Sequence, residues 1–300
     1  MARFKRRLLC SVFFAVVAAS STDCAGPKRA QALVRSAAPL RASIRLVGGP
    51  TALIDLGGAR FLTDPTFSPP GAYPVAPGRT LTKLEGPAVA LEDVGLIDAV
   101  LLSHDQHVDN LDPAGRAYIA TAPRTFSTPS AAQRLDGPVT GLSTWEERRF
   151  VARNGRQFRI TATPAQHGPE ATESITGPVT GFLVASDGLP TVYVSGDNAS
   201  LSVVREVARR AHVEIAVLFV GGAKSPRLLG DALLTLDGQG ASAAATLLPD
   251  AQIVPVHFRG WSHFTQGGDA IRTSFAAPTL RKRLHLLAPG ESVALEGDER

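Results

Sequence analysis

Residues 104–111 read His-Asp-Gln-His-Val-Asp-Asn-Leu and directly follow the segment Ile-Asp-Ala-Val-Leu-Leu-Ser at 97–103. They place two imidazoles, His104 and His107, and two carboxylates, one of them Asp109, at the end of a predicted buried strand. Neutral imidazole and carboxylate bind zinc, iron and manganese, and a loop leaving a rigid strand can hold several such groups in a small volume. The clustering therefore favours a metal site, although a single histidine is more often a surface or core residue.

Four later side chains stand in similar positions, in segments where a strand-like run gives way to a loop. They are His167, Asp197, His257 and His263. The repetition of this placement strengthens the metal-site interpretation. Because both cysteines, Cys10 and Cys24, lie near the amino terminus, any metal in the body of the protein must be bound by nitrogen and oxygen.

The basic character of the chain is confined to its first residues. Residues 1–42 hold eight Lys or Arg and one Asp, whereas residues 43–300 hold 23 Lys or Arg against 26 Asp or Glu. The body is mildly acidic, and it has neither a nucleic-acid motif nor a row of aromatic stacking residues. A nucleic-acid partner is therefore not expected.

The amino-terminal layout predicts export. A basic head, Met-Ala-Arg-Phe-Lys-Arg-Arg, precedes a mostly apolar run of twelve residues at 8–19 and then Ser-Ser-Thr. Twelve helical residues span about 18 Å, less than the roughly 30 Å of a bilayer core, so a cleaved signal peptide is favoured over a permanent anchor. We predict a signal peptide over residues 1–25, a connector over 26–42 and a single domain over 43–300.

Lipid attachment at Cys24 is a second interpretation of the same region. Asp23 stands where lipoprotein signals carry a small residue, so simple export to the periplasm or the extracellular space ranks first. Membrane contact is expected only if Cys24 is lipidated.

The body reads as one α/β domain that begins with several strands. Strands are predicted at 43–47, 51–56, 60–63, 99–102, 124–127, 158–163, 181–185, 191–194, 214–220, 253–256 and 284–287. Helices are predicted at 202–211 and 239–248. The Pro- and Gly-rich residues 64–87 are predicted to form a surface loop.

Taken in order, these motifs resemble the metallo-β-lactamase fold superfamily. Within it they are most similar to ascorbate-6-phosphate lactonases and to phospholipases D that hydrolyse N-acylphosphatidylethanolamine. The resemblance covers most of residues 43–296 and rests on Leu-Thr-Asp-Pro at 62–65, Leu-Leu-Ser-His-Asp at 101–105, Asp-Asn-Leu-Asp at 109–112, Thr-Pro-Ala-Gln-His at 163–167, Ser-Gly-Asp at 195–197 and Pro-Val-His at 255–257. It implies an αββα sandwich whose metal site lies where the strand-end loops meet.

The resemblance also implies the metal ligands. His104, His107 and His167 would form one position, Asp197 would bridge toward a second, and Asp109 with His257 would complete that second position. Zinc is the expected divalent ion, with manganese or iron as alternatives.

The first motif departs from the family pattern His-x-His-x-Asp-His. Counted from the front, Gln106 takes the second histidine position. Counted from the back, His107 takes it and Asn110 takes the last histidine, so one residue is inserted. Since Asn is a poor zinc ligand, one tight ion is expected, with any second ion weak.

Further roles are assigned to Asp109 itself and to three side chains near the ligands. Asp109 is the candidate for proton transfer, and His263 is a candidate for contacting substrate or stabilising an oxyanion. Asp64 and Asp112 are candidates for orienting ligand histidines, with turn formation as the alternative.

The function expected from these features is that of an exported metal-dependent hydrolase. Metal-hydroxide attack on an ester, a lactone or a phosphoester is the expected chemistry, with a small molecule or a lipid as substrate. One alternative is a phospholipase-like enzyme acting on membrane lipids. Another is a non-catalytic binding protein that keeps the fold, suggested by Gln106 and Asn110.

Overall fold

The computed structural model describes residues 42–295. The predicted signal peptide, and the connector apart from Ala42, lie outside the described residues. Among the residues described, no helix has both the length and the apolar composition that crossing a membrane requires.

Fifteen strands are present in the described residues. They are β1 (Ala42–Gly48), β2 (Thr51–Leu56), β3 (Ala59–Thr63), β4 (Gly71–Ala76), β5 (Arg79–Lys83), β6 (Ala99–Leu101), β7 (Thr125–Ser127), β8 (Val139–Gly141), β9 (Glu147–Val151), β10 (Gln157–Pro164), β11 (Thr180–Ala185), β12 (Val192–Val194), β13 (Ile215–Phe219), β14 (Gln252–Val256) and β15 (Ser292–Leu295).

The helices of the described residues alternate with the later strands. They are α1 (Pro113–Ile119), α2 (Pro129–Arg134), α3 (Glu173–Thr176), α4 (Leu201–Arg210), α5 (Pro226–Leu229), α6 (Gly238–Leu247), α7 (Gly268–Ser274) and α8 (Pro278–Arg281), and a short 3₁₀ helix covers Leu91–Asp93.

Two large sheets pack face to face. The first has seven strands in the order β15-β1-β2-β3-β6-β7-β8, and the second has six in the order β14-β13-β12-β11-β10-β9. Their inner faces share one apolar core to which Ile44 and Phe61 contribute from the first sheet and Phe158 and Val217 from the second. In β10 this face alternates with exposed residues, as expected of a strand with one face buried.

Helices cover the outer faces of both sheets. On the six-stranded sheet, α4 and α6 contribute Val204, Val207 and Ala244 to a second apolar cluster. On the seven-stranded sheet, Ile119 of α1 and Ala131 of α2 belong to a third. The order helix, sheet, sheet, helix confirms the αββα sandwich expected from the sequence.

Two of the predicted segments are wrong. The predicted loop over 64–87 contains the hairpin of β4 and β5, whose chain reverses at Pro77-Gly78. The predicted strand at 284–287 is not a strand. Leu284 makes a single bridge to Ile253. Leu284 and Leu286 pack on the helical side of the six-stranded sheet, whereas Leu287 belongs to the core between the sheets.

Candidate metal centre

The predicted ligands converge at one edge of the sandwich. His104 lies just beyond β6, His167 beyond β10, Asp197 beyond β12 and His257 directly after β14. The carboxyl ends of neighbouring parallel strands meet at one edge of a sheet, which is where α/β proteins place their sites. The register of the sheets therefore brings together side chains that are far apart in the sequence.

Four of these residues form a first cluster. His107 Nδ1 lies 2.9 Å from His104 Nε2 and 3.1 Å from His167 Nε2. Asp197 Oδ2 lies 3.6 Å from His167 Nε2 and 3.9 Å from His104 Nε2. One candidate ligand atom from each of the four lies within 4.8 Å of the others.

Two hydrogen bonds fix the tautomers of this cluster. The carbonyl oxygen of Leu234 lies 2.7 Å from His167 Nδ1, so this nitrogen carries the proton. Ser103 Oγ donates to Asp64 and lies 2.8 Å from His104 Nδ1, so it accepts the imidazole proton of His104. Both histidines therefore present the lone pair of Nε2 to the same point.

The environment keeps the imidazoles of His104 and His107 neutral. Burial, followed by the nearby His107 and His167, holds the pKa of His104 well below its usual value. Burial and His167 lower the pKa of His107 to about 4. Neutral imidazole is the form that binds metal, so His104 and His107 are in the protonation state that a cation requires near neutral pH.

At the second histidine position of the first motif, the structure has His107 and not Gln106. Gln106 is exposed and packs against Gly177, where a Cβ would come within 2.6 Å of its Nε2 atom. His107 instead faces His104 and His167. The backbone absorbs the extra residue in a turn, in which the N–H groups of Asn110 and Leu111 donate to the carbonyl of His107.

Asp109, His257 and His263 form a second cluster. His257 Nε2 lies 3.2 Å and His263 Nε2 3.0 Å from the same atom, Asp109 Oδ2. Burial opposes ionisation of Asp109, but these two imidazoles outweigh it and hold the Asp109 pKa well below its usual range. His263, which was assigned to substrate contact or oxyanion stabilisation, thus stands beside the predicted ligands of the second position.

Asp197, a member of the first cluster, also faces the second. Its Oδ2 atom faces His167, and its Oδ1 atom lies 3.7 Å from His257 Nδ1. Burial lowers the pKa of His257, but Asp197 and Asp109 raise it more, and the net shift is upward. His257 also holds a left-handed backbone conformation, with φ +57°, while its N–H donates to Gly49. Such strain in a non-glycine residue is typical of functional sites.

The two flanking aspartates have different positions. Asp64 accepts hydrogen bonds from the Ser103 backbone at 2.6 Å and from Asn110 Nδ2 at 2.9 Å, so it adjoins the first cluster through its neighbours. Burial raises the Asp64 pKa to about 7, with Ser103 and Asn110 opposing that shift. Asp112 instead caps α1 and pairs with Lys83 at 2.9 Å. The hydrogen bonds and ion pair of Asp112 are with residues outside the two clusters.

The sequence analysis missed two groups that orient the ligands. Ser103 had a usable signal, because it is a hydroxyl residue directly before the first histidine at a strand end. The Leu234 carbonyl had none, because a backbone acceptor leaves no trace in residue identity.

A cavity of about 460 Å³ lies beside the first cluster and includes His167 in its wall. The rest of the wall is formed by residues 128–129, 142–144, 164–166, 169–173 and 176–180. Glu170 and Glu173 contribute its two carboxylates, and none of the described residues that line it is Lys or Arg.

The donor set fits a divalent first-row ion. The first cluster offers two Nε2 lone pairs, a third imidazole and a buried carboxylate. Their ligand atoms lie within 4.8 Å of one another. His257 Nδ1 and His263 Nδ1 are also buried without a hydrogen-bond partner in the part of the chain that the structure describes. Imidazole and carboxylate donors suit zinc, iron and manganese better than calcium or magnesium.

A sandwich of two mixed sheets between helices, with this histidine and aspartate site at the strand ends, defines a metallo-β-lactamase fold. Residues 59–258 match the family model described as a beta-lactamase superfamily domain. The chain belongs to this superfamily.

Individual relatives agree with this assignment. A metal-dependent hydrolase of Methanosphaerula palustris is 26% identical over 219 residues, which are 68% of this chain and 91% of that protein. An N-acyl-phosphatidylethanolamine-hydrolyzing phospholipase D of Caenorhabditis elegans is 29% identical over 133 residues, covering 40% of this chain and 36% of that protein.

Solved structures share the fold. An isothiocyanate hydrolase from Delia radicum gut bacteria superposes with a TM-score of 0.72 at 22% identity, covering 85% of this chain and 100% of that one. The comparisons confirm the predicted class, a metal-dependent hydrolase of the metallo-β-lactamase superfamily. They give no support to the alternative of a non-catalytic binding protein.

Proposed function

We propose that the enzyme hydrolyses a small, uncharged carboxylic ester or lactone. The observation that carries this proposal is the cavity beside His167. Among the described residues, its wall holds Glu170 and Glu173 but neither Lys nor Arg. Carboxylates without compensating cations repel an anionic substrate, so the wall disfavours a phosphoester relative to a neutral ester.

The chemistry would take place at the first cluster. A divalent ion held by His104, His107, His167 and Asp197 would lower the pKa of water toward neutrality and polarise the carbonyl oxygen of the substrate. Ser103 and the Leu234 carbonyl keep the Nε2 atoms of His104 and His167 free of protons for this purpose. The proposed substrate would sit in the adjoining cavity, on the His167 side.

Asp109 remains the candidate for proton transfer on sequence grounds. Its contacts with His257 and His263 favour the carboxylate form, which binds cations well and is a weak base. Its contribution is therefore expected to lie more in holding these two histidines than in accepting the proton of water.

A matched pair of substrates tests the charge argument. Purified protein loaded with Zn²⁺ should hydrolyse p-nitrophenyl acetate and a γ-lactone with higher kcat/KM than bis(p-nitrophenyl) phosphate. In the variant Glu170→Gln/Glu173→Gln, the kcat/KM for the phosphodiester should rise while that for the acetate stays unchanged. A wild-type preference for the phosphodiester would refute the proposal.

A phospholipase-like activity is the second candidate, favoured by the similarity to the Caenorhabditis elegans phospholipase D. The acidic cavity wall speaks against it, because the phosphate of such a lipid is anionic. Vesicles containing N-acylphosphatidylethanolamine test this activity. Release of phosphatidic acid at a rate above that of ester hydrolysis would favour the lipid substrate.

We also propose that the enzyme is exported. The basic head and the apolar run at 8–19 support this. Mass spectrometry of the native protein should show a mature form lacking at least residues 1–19, and an intact cytosolic form would refute export. If a Cys24→Ser variant still fractionates with membranes, lipidation at this residue is excluded.

A further inference from the structure

We propose that His263 supplies the imidazole that Asn110 lacks, so that Asp109, His257 and His263 form a second metal position. The inference deepens the proposed function, because it concerns the same site. It changes the expectation of one tight and one weak ion, since the second position would then have two nitrogen donors.

The distances within the second cluster fit a shared ion. The Nε2 atoms of His257 and His263 lie 3.2 and 3.0 Å, respectively, from the same carboxylate oxygen of Asp109. Two donors bound to one tetrahedral ion at about 2.1 Å lie about 3.4 Å apart. A small outward movement of each side chain would therefore accommodate a cation between them.

Asn110 supplies no imidazole, and its amide nitrogen faces two carboxylates. Its Nδ2 atom donates to Asp64 at 2.9 Å and to Asp197 at 3.3 Å. An amide N–H₂ group is a donor and cannot bind a cation through that atom. The one ligand atom that Asn110 can offer is Oδ1, an oxygen that is buried without a hydrogen-bond partner among the described residues. Asn110 is thus a positioning residue for two carboxylates.

The chain holds His263 in place through its neighbours. Phe264 packs against the rings of both His263 and His257, with centroid distances of 4.4 and 4.8 Å. The carbonyl of Gly221 accepts the N–H of Thr265, and a Cβ at Gly221 would lie 2.5 Å from the Phe264 ring. A ligand supported by packed side chains is preorganised, so little ordering free energy is lost when an ion binds.

The two imidazoles of this cluster differ in exposure. The side chain of His257 is fully buried, whereas that of His263 is 16% exposed. Two imidazoles and one carboxylate suit Zn²⁺, Fe²⁺ or Mn²⁺. The ion that we propose for this position is therefore a divalent first-row metal.

Metal titration of the purified full-length protein tests the assignment without substrate. Metal-free protein titrated with Zn²⁺ by calorimetry, with ion content checked by elemental analysis, should bind two ions. In His263→Ala, the affinity for the second ion should fall by more than about 100-fold, because loss of an outer-shell partner alone costs about 10–100-fold. The first ion should bind unchanged, which also shows that the variant is folded.

His285→Ala is the matched control. His285 is half-buried and lies 2.8 Å from Gln252, outside both clusters. This variant should bind two ions with wild-type affinity. Wild-type binding of a single ion, or wild-type affinity for the second ion in His263→Ala, would overturn the proposal.

Proton NMR of the Co²⁺-loaded protein separates a ligand from a residue that merely supports the site. The second equivalent of Co²⁺ should add two strongly shifted, exchangeable imidazole N–H signals, those of His257 and His263. The addition of one such signal would overturn the proposal. If a protein with two ions fails to hydrolyse esters, the proposed substrate is refuted and the assignment of His263 stands.

Discussion

Asp64 holds His104 through a single hydroxyl group. Ser103 Oγ lies 2.5 Å from Asp64 Oδ2 and 2.8 Å from His104 Nδ1, and the Ser103 backbone N–H donates to the other oxygen of the same carboxylate. A carboxylate behind a ligand histidine orients the ring and fixes its tautomer. In this protein the orientation is transmitted through serine, so the hydroxyl group is as important as the carboxylate.

Removal of that hydroxyl group should weaken metal binding. We expect Ser103→Ala to lower the affinity for the first ion by about 10–100-fold, because His104 loses its orienting partner. Calorimetric titration of metal-free protein with Zn²⁺ measures this. Ser127→Ala is the control, since Ser127 is a buried serine at the end of β7 whose Oγ has no hydrogen-bond partner within residues 42–295. Equal affinities in the two variants would contradict the assignment.

Gly196 controls the approach of Asp197 to the first cluster. Its φ is +58°, and an added Cβ would lie 2.6 Å from the Thr180 carbonyl oxygen and 2.9 Å from Ser103 Cβ. We expect Gly196→Ala to lower stability by more than the roughly 1–2 kcal/mol of left-handed strain and also to weaken metal binding, because Asp197 and Ser103 must shift.

Gly155→Ala separates strain from the steric clash at Gly196. Gly155 has φ +81° with nothing near its Cβ position, so this variant carries the backbone strain alone. Urea unfolding and Zn²⁺ titration of both variants make the comparison. A loss of metal affinity in Gly155→Ala equal to that in Gly196→Ala would show that Gly196 acts through global stability.

The site could be predicted largely because its ligands follow strands that the sequence marks clearly. The buried runs of β13 and β14 are short, apolar and rich in branched residues, and both were located to within two residues of their observed bounds. Because the motifs stand at the ends of these strands, the topology of the sheets places them at one edge. The convergence of His167 and Asp197 was therefore predictable.

The errors have local physical causes. Pro74 lies within β4, and proline inside a strand usually argues against one, so the hairpin in 64–87 was read as a loop. At 284–287 the apolar run is of strand length and its leucines are divided between the helical cluster and the core between the sheets, but it makes only one bridge, from Leu284 to Ile253. A short apolar run cannot be assigned from periodicity alone, because a strand and a buried segment without regular structure can both bury its side chains.

The position of His263 could not be predicted for a different reason. It lies in the loop after β14, and its distance from Asp109 depends on how Phe264 packs against His257. Packing between residues that are distant in the chain leaves no periodic pattern in the sequence. The inserted residue before His107 was ambiguous in the same way, because only the turn at 104–110 decides which side chain faces inward.

Asp98 should make stability depend on pH outside the metal centre. Burial alone would raise its pKa, but N–H donors from Arg153 and Arg60 and the Arg153 guanidinium hold the Asp98 pKa below its usual value. The stability from these bonds is present above the unfolded-state pKa of about 3.9 and is lost as pH falls through the lower folded-state pKa. Asp98→Asn should therefore cost about 1–3 kcal/mol at pH 7 and much less near pH 2.

Urea unfolding followed by circular dichroism at the two pH values measures that difference. Asp136→Asn, at an exposed carboxylate, is the control and should change stability little at either pH. A constant cost of Asp98→Asn across the pH range would mean that the charge of Asp98 does not contribute.

The buried pair of Lys83 and Asp112 should be the most sensitive point of the fold near the site. Asp112 accepts Lys83 Nζ at 2.9 Å, the N–H of Ser68 at 2.7 Å and the N–H of Gly115 at 2.9 Å, and both side chains of the pair are almost fully buried. Burial lowers the pKa of Lys83, and Asp112 opposes that shift. The Asp112 carboxylate therefore has two roles: it neutralises the buried Lys83 ammonium group and it caps α1.

Asp112→Ala should destabilise the protein by about 3–5 kcal/mol, because it leaves an uncompensated ammonium group and removes the helix cap. The double variant Lys83→Met/Asp112→Ala should recover part of that loss, since the buried charge is gone while the cap is still missing. Urea unfolding of the three proteins measures both effects. If the double variant is less stable than Asp112→Ala, then Lys83 contributes through its hydrogen bond to the Thr66 carbonyl and its contact with Trp261 rather than through its pairing with Asp112.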